Sequence, residues 1–188
     1  MIPYTTDRRA DTGVTNVTLG IWLFLASEVM LFGALFSAYA LLRASAPSWP
    51  SGRDVLNLPI GATNTAVLIL MTAAVWRGRG ATIEGVRRWL VLGSLLALIF
   101  LGLKSIEYSA EIRHGVVPAV NTFVAMYYTL TGLHALHVIG GLIANLWVMA
   151  GARAVGDSMT AGRVHALSLY WMFVDVVWLV IFSLLYLS

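Results

Sequence analysis

The stretch 168-SLYWMFVDVVWLVIFSLLYLS-188 decides the fold. At the helical rise of about 1.5 Å per residue, its apolar run is long enough to cross the ~30 Å of hydrocarbon in a bilayer. Asp175 sits near its middle, with Trp171 and Trp178 on the same helix face by the i, i+4, i+7 rule. An ionised carboxylate at that depth costs about 2.5–3.5 kcal/mol even on lenient insertion scales. Its presence reads as an interhelical polar clamp or as part of a proton-conducting path, and the flanking indoles have two readings of their own. The indole N–H groups hydrogen-bond the carboxylate, or the two tryptophans form a plain packing stripe beside it.

The rest of the chain points the same way. Of its 188 residues 59% are hydrophobic and only 11% charged, and the mean hydropathy is +0.82. A soluble domain carries roughly a quarter of its residues as charged side chains, so too little charge is present to cover a water-facing surface. The class is an all-α integral membrane protein. The pI near 9.5 does not signal nucleic acid, because the basic residues fall in short connections between apolar runs, where they set topology. The absence of cysteine excludes disulfides, thiolate metal sites and cysteine nucleophiles. Residues 1–18, MIPYTTDRRADTGVTNVT, read as a polar tail with no cleavable signal peptide.

Five apolar runs, near 19–42, 59–77, 88–109, 121–150 and 165–187, predict a single domain of five transmembrane helices over 19–188. The connections at 46–54, 77–88 and 151–163 carry turn chemistry. Arg8, Arg9, Arg77, Arg79, Arg87, Arg88, Arg153 and Arg163 fall on one side of the membrane in this arrangement, against Arg43, Arg53 and Arg113 on the other. That bias places the N-terminus in the cytoplasm and the C-terminus outside, at the periplasmic face of the cell's inner (plasma) membrane.

This topology brings four polar groups to one slab of the membrane: Glu28, about 13 Å into the first span, Asp175 in the fifth, and His134 and His137 in the fourth. An acid and an imidazole at one depth on neighbouring helices can hydrogen-bond or share a proton. The spacing of His134 and His137 puts both on one helix face, yet two imidazoles fall short of the four ligands of a structural zinc site or the three of a catalytic one. His114 and His165 lie near opposite membrane faces and cannot complete the set. Lys104 and Glu107, three residues apart near the outer end of the third span, can pair, and Lys104 can snorkel to the interface. Gly33/Ser37 and Ala34/Ala38 give the first helix small-xxx-small spacing, which permits close helix approach.

Four stretches in order, 20-GIWLFLASEVMLFGALFSAY-39, 104-KSIEYSAEIRHG-115, 127-YYTLTGLHALHVIGGLI-143 and 169-LYWMFVDVVWLVIF-182, resemble subunit III of the haem–copper terminal oxidases in a short five-helix form. The resemblance implies a helical bundle split by a V-shaped, lipid-filled cleft and packed on subunit I, in a complex with subunit II. It implies no haem or copper in this chain, with those groups in partner subunits, bound phospholipid, and support of proton uptake, sustained turnover and assembly. On it, Glu28 matches the intramembrane glutamate at the lipid cleft and is the better candidate for a functional carboxylate; His134, His137, Glu107 and Asp175 match other buried polar positions. Met172 stands where the family usually has histidine, and Lys104 where glutamine is common. Five-helix forms also occur in quinol oxidases and as accessory proteins of nitric oxide reductases, which the 121–132 run resembles too. An independent transporter using Glu28, His134 and Asp175 as a relay is the remaining alternative, against which stands the lack of an inverted repeat.

Overall fold

Four of the long helices begin at a side chain that accepts a hydrogen bond from the first turn. Thr15 accepts from the Thr18 amide (3.3 Å) at the start of α1 (Asn16–Ser45). Asn57 accepts from Ile60 (3.2 Å) at α3 (Leu58–Arg77), and Thr82 from Gly85 (3.3 Å) at α4 (Ile83–Arg113). Asn121 does so from Val124 (2.9 Å) at α5 (Thr122–Val155). Such a cap stabilises a helix by about 1 kcal/mol. A short α2 (Gly52–Val55) lies between α1 and α3, and α6 (Asp157–Tyr186) completes the chain. This computed structural model describes residues 7–155 and 157–188. The first six residues of the expected tail, Gly156, and the side chain of Arg153 counted in the charge bias lie outside the described residues.

Five of these helices are long and apolar enough to cross a membrane, in agreement with the five predicted spans. Their ends differ from the apolar runs because caps, not hydropathy, set them. α1 starts at Asn16, inside the expected tail, and α4 starts at Ile83, ahead of the apolar run at 88. The connection expected at 151–163 is largely helical: α5 continues to Val155 and α6 begins at Asp157. Its alanines, arginines and methionine are good helix formers, so loss of hydrophobicity there does not end the helix. Gly80 (φ 74°) and Gly115 (φ 77°) stand in the left-handed region at the turns following α3 and α4, which glycine adopts without steric cost.

α3, α4, α5 and α6 pack as an antiparallel bundle, and α1 leans on its outside against α5 and α6. The seam of α1 is narrow: it buries only Leu25, Phe32 and Tyr39, seven residues apart, while Trp22, Leu23, Met30 and Leu41 face outward. Tyr39 fixes the C-terminal part of α1 to α6 by donating to the Leu184 carbonyl (2.7 Å). The expected close approach through Gly33/Ser37 and Ala34/Ala38 does not occur within the chain. Gly33 and Ser37 are exposed, and a Cβ on Gly33 would meet nothing within 4 Å. Tight packing falls instead at Gly61, Gly93 and Gly141, where an added Cβ would come within 2.8 Å of the Tyr186 ring, 3.0 Å of Val75 and 2.5 Å of the Trp171 indole. Each is a small residue opposite a large one, which lets helix backbones close.

One end of the bundle gathers the N-terminus of α1, the C-termini of α3 and α5 and the N-termini of α4 and α6. There Arg79 stacks on the Trp76 ring (4.1 Å) and Arg163 on Trp147 (4.2 Å). Such pairs suit a membrane–water interface, where the ring sits at headgroup depth and the cation faces water. Just before α1, Arg9 grips Asp11 through two hydrogen bonds (2.9 and 2.8 Å), which holds the Asp11 carboxyl down at about 2.

Candidate functional site

Glu28 and His137 come together across the α1–α5 seam. His137 Nε2 lies 2.7 Å from Glu28 Oε2, and its Nδ1 lies 2.8 Å from the Leu133 carbonyl one turn earlier. A carbonyl only accepts, so Nδ1 carries a hydrogen. One proton then lies between Nε2 and Oε2: either the carboxylic acid donates to neutral imidazole, or the imidazolium donates to carboxylate. Both arrangements are neutral overall, which is what a low-dielectric site favours. Removing that proton leaves a net negative charge. Both side chains remain slightly exposed, 14% for Glu28 and 13% for His137, so the pair is reachable from the seam. Phe32 packs edge-on against the His137 ring (5.0 Å), and Tyr170 of α6 donates to the His137 carbonyl (2.7 Å).

A second polar centre lies toward the end of the bundle opposite the arginine-rich one. Lys104 does not snorkel to the interface as its position suggested; it turns inward and is 2% exposed. Its ammonium donates to Glu107 Oε2 (2.9 Å), Tyr186 (2.7 Å) and Tyr127 (3.2 Å), using all three of its hydrogens. Glu107 Oε1 accepts from Tyr127 (3.1 Å) and from Tyr186. The rings of Tyr108, Tyr127, Trp178 and Tyr186 surround the cation at 4.8–5.4 Å. A buried ion pair is tolerable only when its remaining donors and acceptors are met, and here they are. Three helices, α4, α5 and α6, are joined by it.

His134 and His137 diverge. Residues three apart on a helix differ by about 60° in direction. His137 reaches α1, whereas His134 points into the bundle between Phe100 (5.7 Å) and Trp178 (5.0 Å), with neither nitrogen hydrogen-bonded. The two imidazoles therefore do not converge on a common ligand, and among the described residues no group of three or more His, Asp or Glu could hold a metal ion.

Asp175 receives neither indole. Trp171 donates to Asn145 Oδ1 (3.0 Å), which in turn donates from Nδ2 to Ser94 (3.2 Å), and Trp178 donates to Thr65 (2.9 Å). The aspartate is largely buried, its Oδ1 has no partner, and its polar neighbour is Thr72. Asp175→Asn, which keeps shape and an acceptor, is therefore expected to change stability by less than about 1 kcal/mol in thermal unfolding of the purified protein. The links of Asn145 to Ser94 and of Lys104 to the two tyrosines were not foreseen. The polar residues themselves, set in apolar runs, were the only signal.

Beside the Glu28–His137 pair, toward the arginine-rich end, an apolar groove of about 510 Å³ opens between α1, α5 and α6. Val17 and Phe24 line it on α1, Gly140 and Trp147 on α5, and Arg163 and Tyr170 on α6.

Fold and site together define a polytopic helical membrane protein whose interior carries paired acidic and basic groups. The profile of the family described as cytochrome c oxidase subunit III matches residues 7–188. The chain is 33% identical to the cytochrome bo(3) ubiquinol oxidase subunit 3 of Pseudomonas aeruginosa over 96% of its length and 88% of the relative's. It is 31% identical to the cytochrome c oxidase subunit 3 of Bacillus sp. (strain PS3) over 98% and 92%, and 35% identical to that of Synechocystis sp. over 89% and 74%. The chain belongs to the cytochrome c oxidase subunit III family, the third subunits of the haem–copper oxidases.

Proposed function

We propose that this chain packs on subunit I of a haem–copper oxidase beside subunit II in the cell membrane, carries no redox centre itself, and supports proton uptake, assembly and sustained turnover. The observation that carries this reading is the Glu28–His137 pair, a one-proton site open to the α1–α5 seam. The groove beside it suits a phospholipid: acyl chains fill its apolar walls, and Arg163 at its rim meets the phosphate. Glu28→Gln keeps the shape and removes the titrating group. It is expected to lower sustained proton uptake by the complex severalfold while leaving the haem spectrum unchanged; full proton uptake by Glu28→Gln would remove Glu28 from the account.

Relatives named for cytochrome c and for ubiquinol oxidases flank the chain at similar identity, so a quinol-oxidising complex is the second reading of the same role. Electron-donor assays on the purified complex separate the two. The arginines gathered at one end of the bundle support a cytoplasmic position for that end, with Ser188 outside. Reporter fusions are expected to report the 77–88 connection inside and the C-terminus outside; a C-terminus facing the cytoplasm contradicts this orientation.

A further inference from the structure

α1 is held to the bundle unevenly. Its C-terminal half carries Phe32, packed on the His137 ring (5.0 Å) and on Phe173 (6.2 Å), and Tyr39, bonded to the Leu184 carbonyl. Its N-terminal half walls the groove with Val17, Ile21 and Phe24, buries only Leu25, and touches α6 through Phe24 on Tyr170 (6.1 Å). Between the halves the Glu28–His137 pair ties α1 to α5. Two contacts flank the His137 ring, 2.7 Å to Glu28 Oε2 and 2.8 Å to the Leu133 carbonyl, and each needs a hydrogen between its heavy atoms. With its shared proton the pair has one hydrogen for each, and a second proton leaves both contacts bridged. Loss of the shared proton leaves one hydrogen for two contacts. If it stays on Nδ1, the Nε2 lone pair faces a carboxylate; if it moves to Nε2, the Nδ1 lone pair faces a carbonyl. The ring is rigid, so turning from either oxygen carries both nitrogens with it.

We infer that the Glu28–His137 pair is a proton-dependent latch on α1. With the shared proton bound, the N-terminal half of α1 lies against α5 and α6. With it lost, that half swings out about the Phe32–Tyr39 end and widens the groove. The net negative charge left behind adds to the effect, because an apolar seam favours letting water reach it. The seam is therefore closed on the acid side and open on the alkaline side. No facing group replaces the missing hydrogen. On α6, Tyr170 commits its hydroxyl to the His137 carbonyl, and Asp175 lies beside Thr72 of α3. On α5, His134 turns into the bundle between Phe100 and Trp178, and at the groove rim Arg163 of α6 stacks on Trp147. α1 itself carries only Tyr39 and Arg43 besides Glu28, about three and four turns away. Among the described residues none of these groups donates to the pair. The occupant of the groove then enters and leaves past a wall whose position follows the protonation of Glu28 and His137.

The latch rests on the reading of Glu28 as a titrating group, so distance and titration are read separately, on the full chain in phospholipid nanodiscs. The chain has no cysteine, so nitroxides at Leu23→Cys on α1 and Ile143→Cys on α5, both outward-facing, report a single distance. Raising the pH from about 5 to about 10 is expected to broaden that distance and lengthen it by about 2 Å or more. Infrared bands of the pair, identified by their loss in Glu28→Gln, report its protonation over the same range. Glu28→Gln keeps a hydrogen in the contact at every pH, since its amide donates to Nε2, and is expected to hold the short distance throughout. Glu28→Leu has no tie and is expected to give the long distance throughout. A wild-type distance that stays fixed while the bands titrate overturns the latch and leaves the titrating Glu28 standing. A step in distance that survives in Glu28→Gln also overturns it, by assigning the motion to another group. Bands that do not titrate overturn the latch and the Glu28 reading together.

Discussion

Exchanging Lys104 for methionine is expected to be among the most damaging single substitutions in the chain. Methionine matches the stem of lysine but removes the cation and its three hydrogen bonds. Glu107, 1% exposed, then keeps only two tyrosine hydroxyls for a buried carboxylate. Removing one partner of a buried ion pair costs about 3–5 kcal/mol, against a total stability of about 5–15 kcal/mol for a typical domain. The expected result is a lower yield of folded protein and an earlier thermal transition in detergent. The companion change, Glu107→Gln in the Lys104→Met background, removes the orphaned charge and is expected to restore part of the loss. Equal stability of Lys104→Met and the wild type would show that the centre does not hold α4, α5 and α6 together.

The second large effect is steric. A Cβ at Gly141 already lies 2.5 Å from the Trp171 ring, and valine adds two more carbons there. Trp171 is fully buried and its N–H is committed to Asn145, so the indole cannot swing aside without breaking that bond. Overpacking costs about 1–3 kcal/mol, and leaving buried Asn145 short of a donor adds about 1–3 kcal/mol. Gly141→Val is expected to lower the thermal transition by more than Gly33→Val, because Gly33 faces outward with open space around it. The comparison of the two variants in one melting assay separates packing from the loss of glycine itself.

These two cases show what one-dimensional reading reaches. Span number was legible because twenty apolar residues in a row have few alternatives to crossing a bilayer. Helix ends were less so: Thr82 and Asn121 set them by capping, outside or at the edge of the apolar runs. The i, i+3 spacing of Lys104 and Glu107 announced their pairing, but whether the lysine turns in or snorkels depends on Tyr127 and Tyr186, residues of two other helices. Small-residue spacing on α1 pointed to a close approach that the chain makes elsewhere, since spacing says nothing of what lies opposite. Of the polar slab, Glu28 and His137 meet, whereas the indoles beside Asp175 turn to Asn145 and Thr65. Depth can be counted along a helix; facing requires the neighbours.

The central claim is that this chain is a subunit without redox centres in a haem-bearing complex. It is tested most directly by purifying through a tag on this chain in mild detergent and recording haem absorbance before and after the chain is stripped away. The account predicts that haem-bearing polypeptides come down with it, and that their spectrum is essentially unchanged once it is removed. A chain that purifies alone, or haem or copper that leaves with the chain in stoichiometric amount, would contradict it.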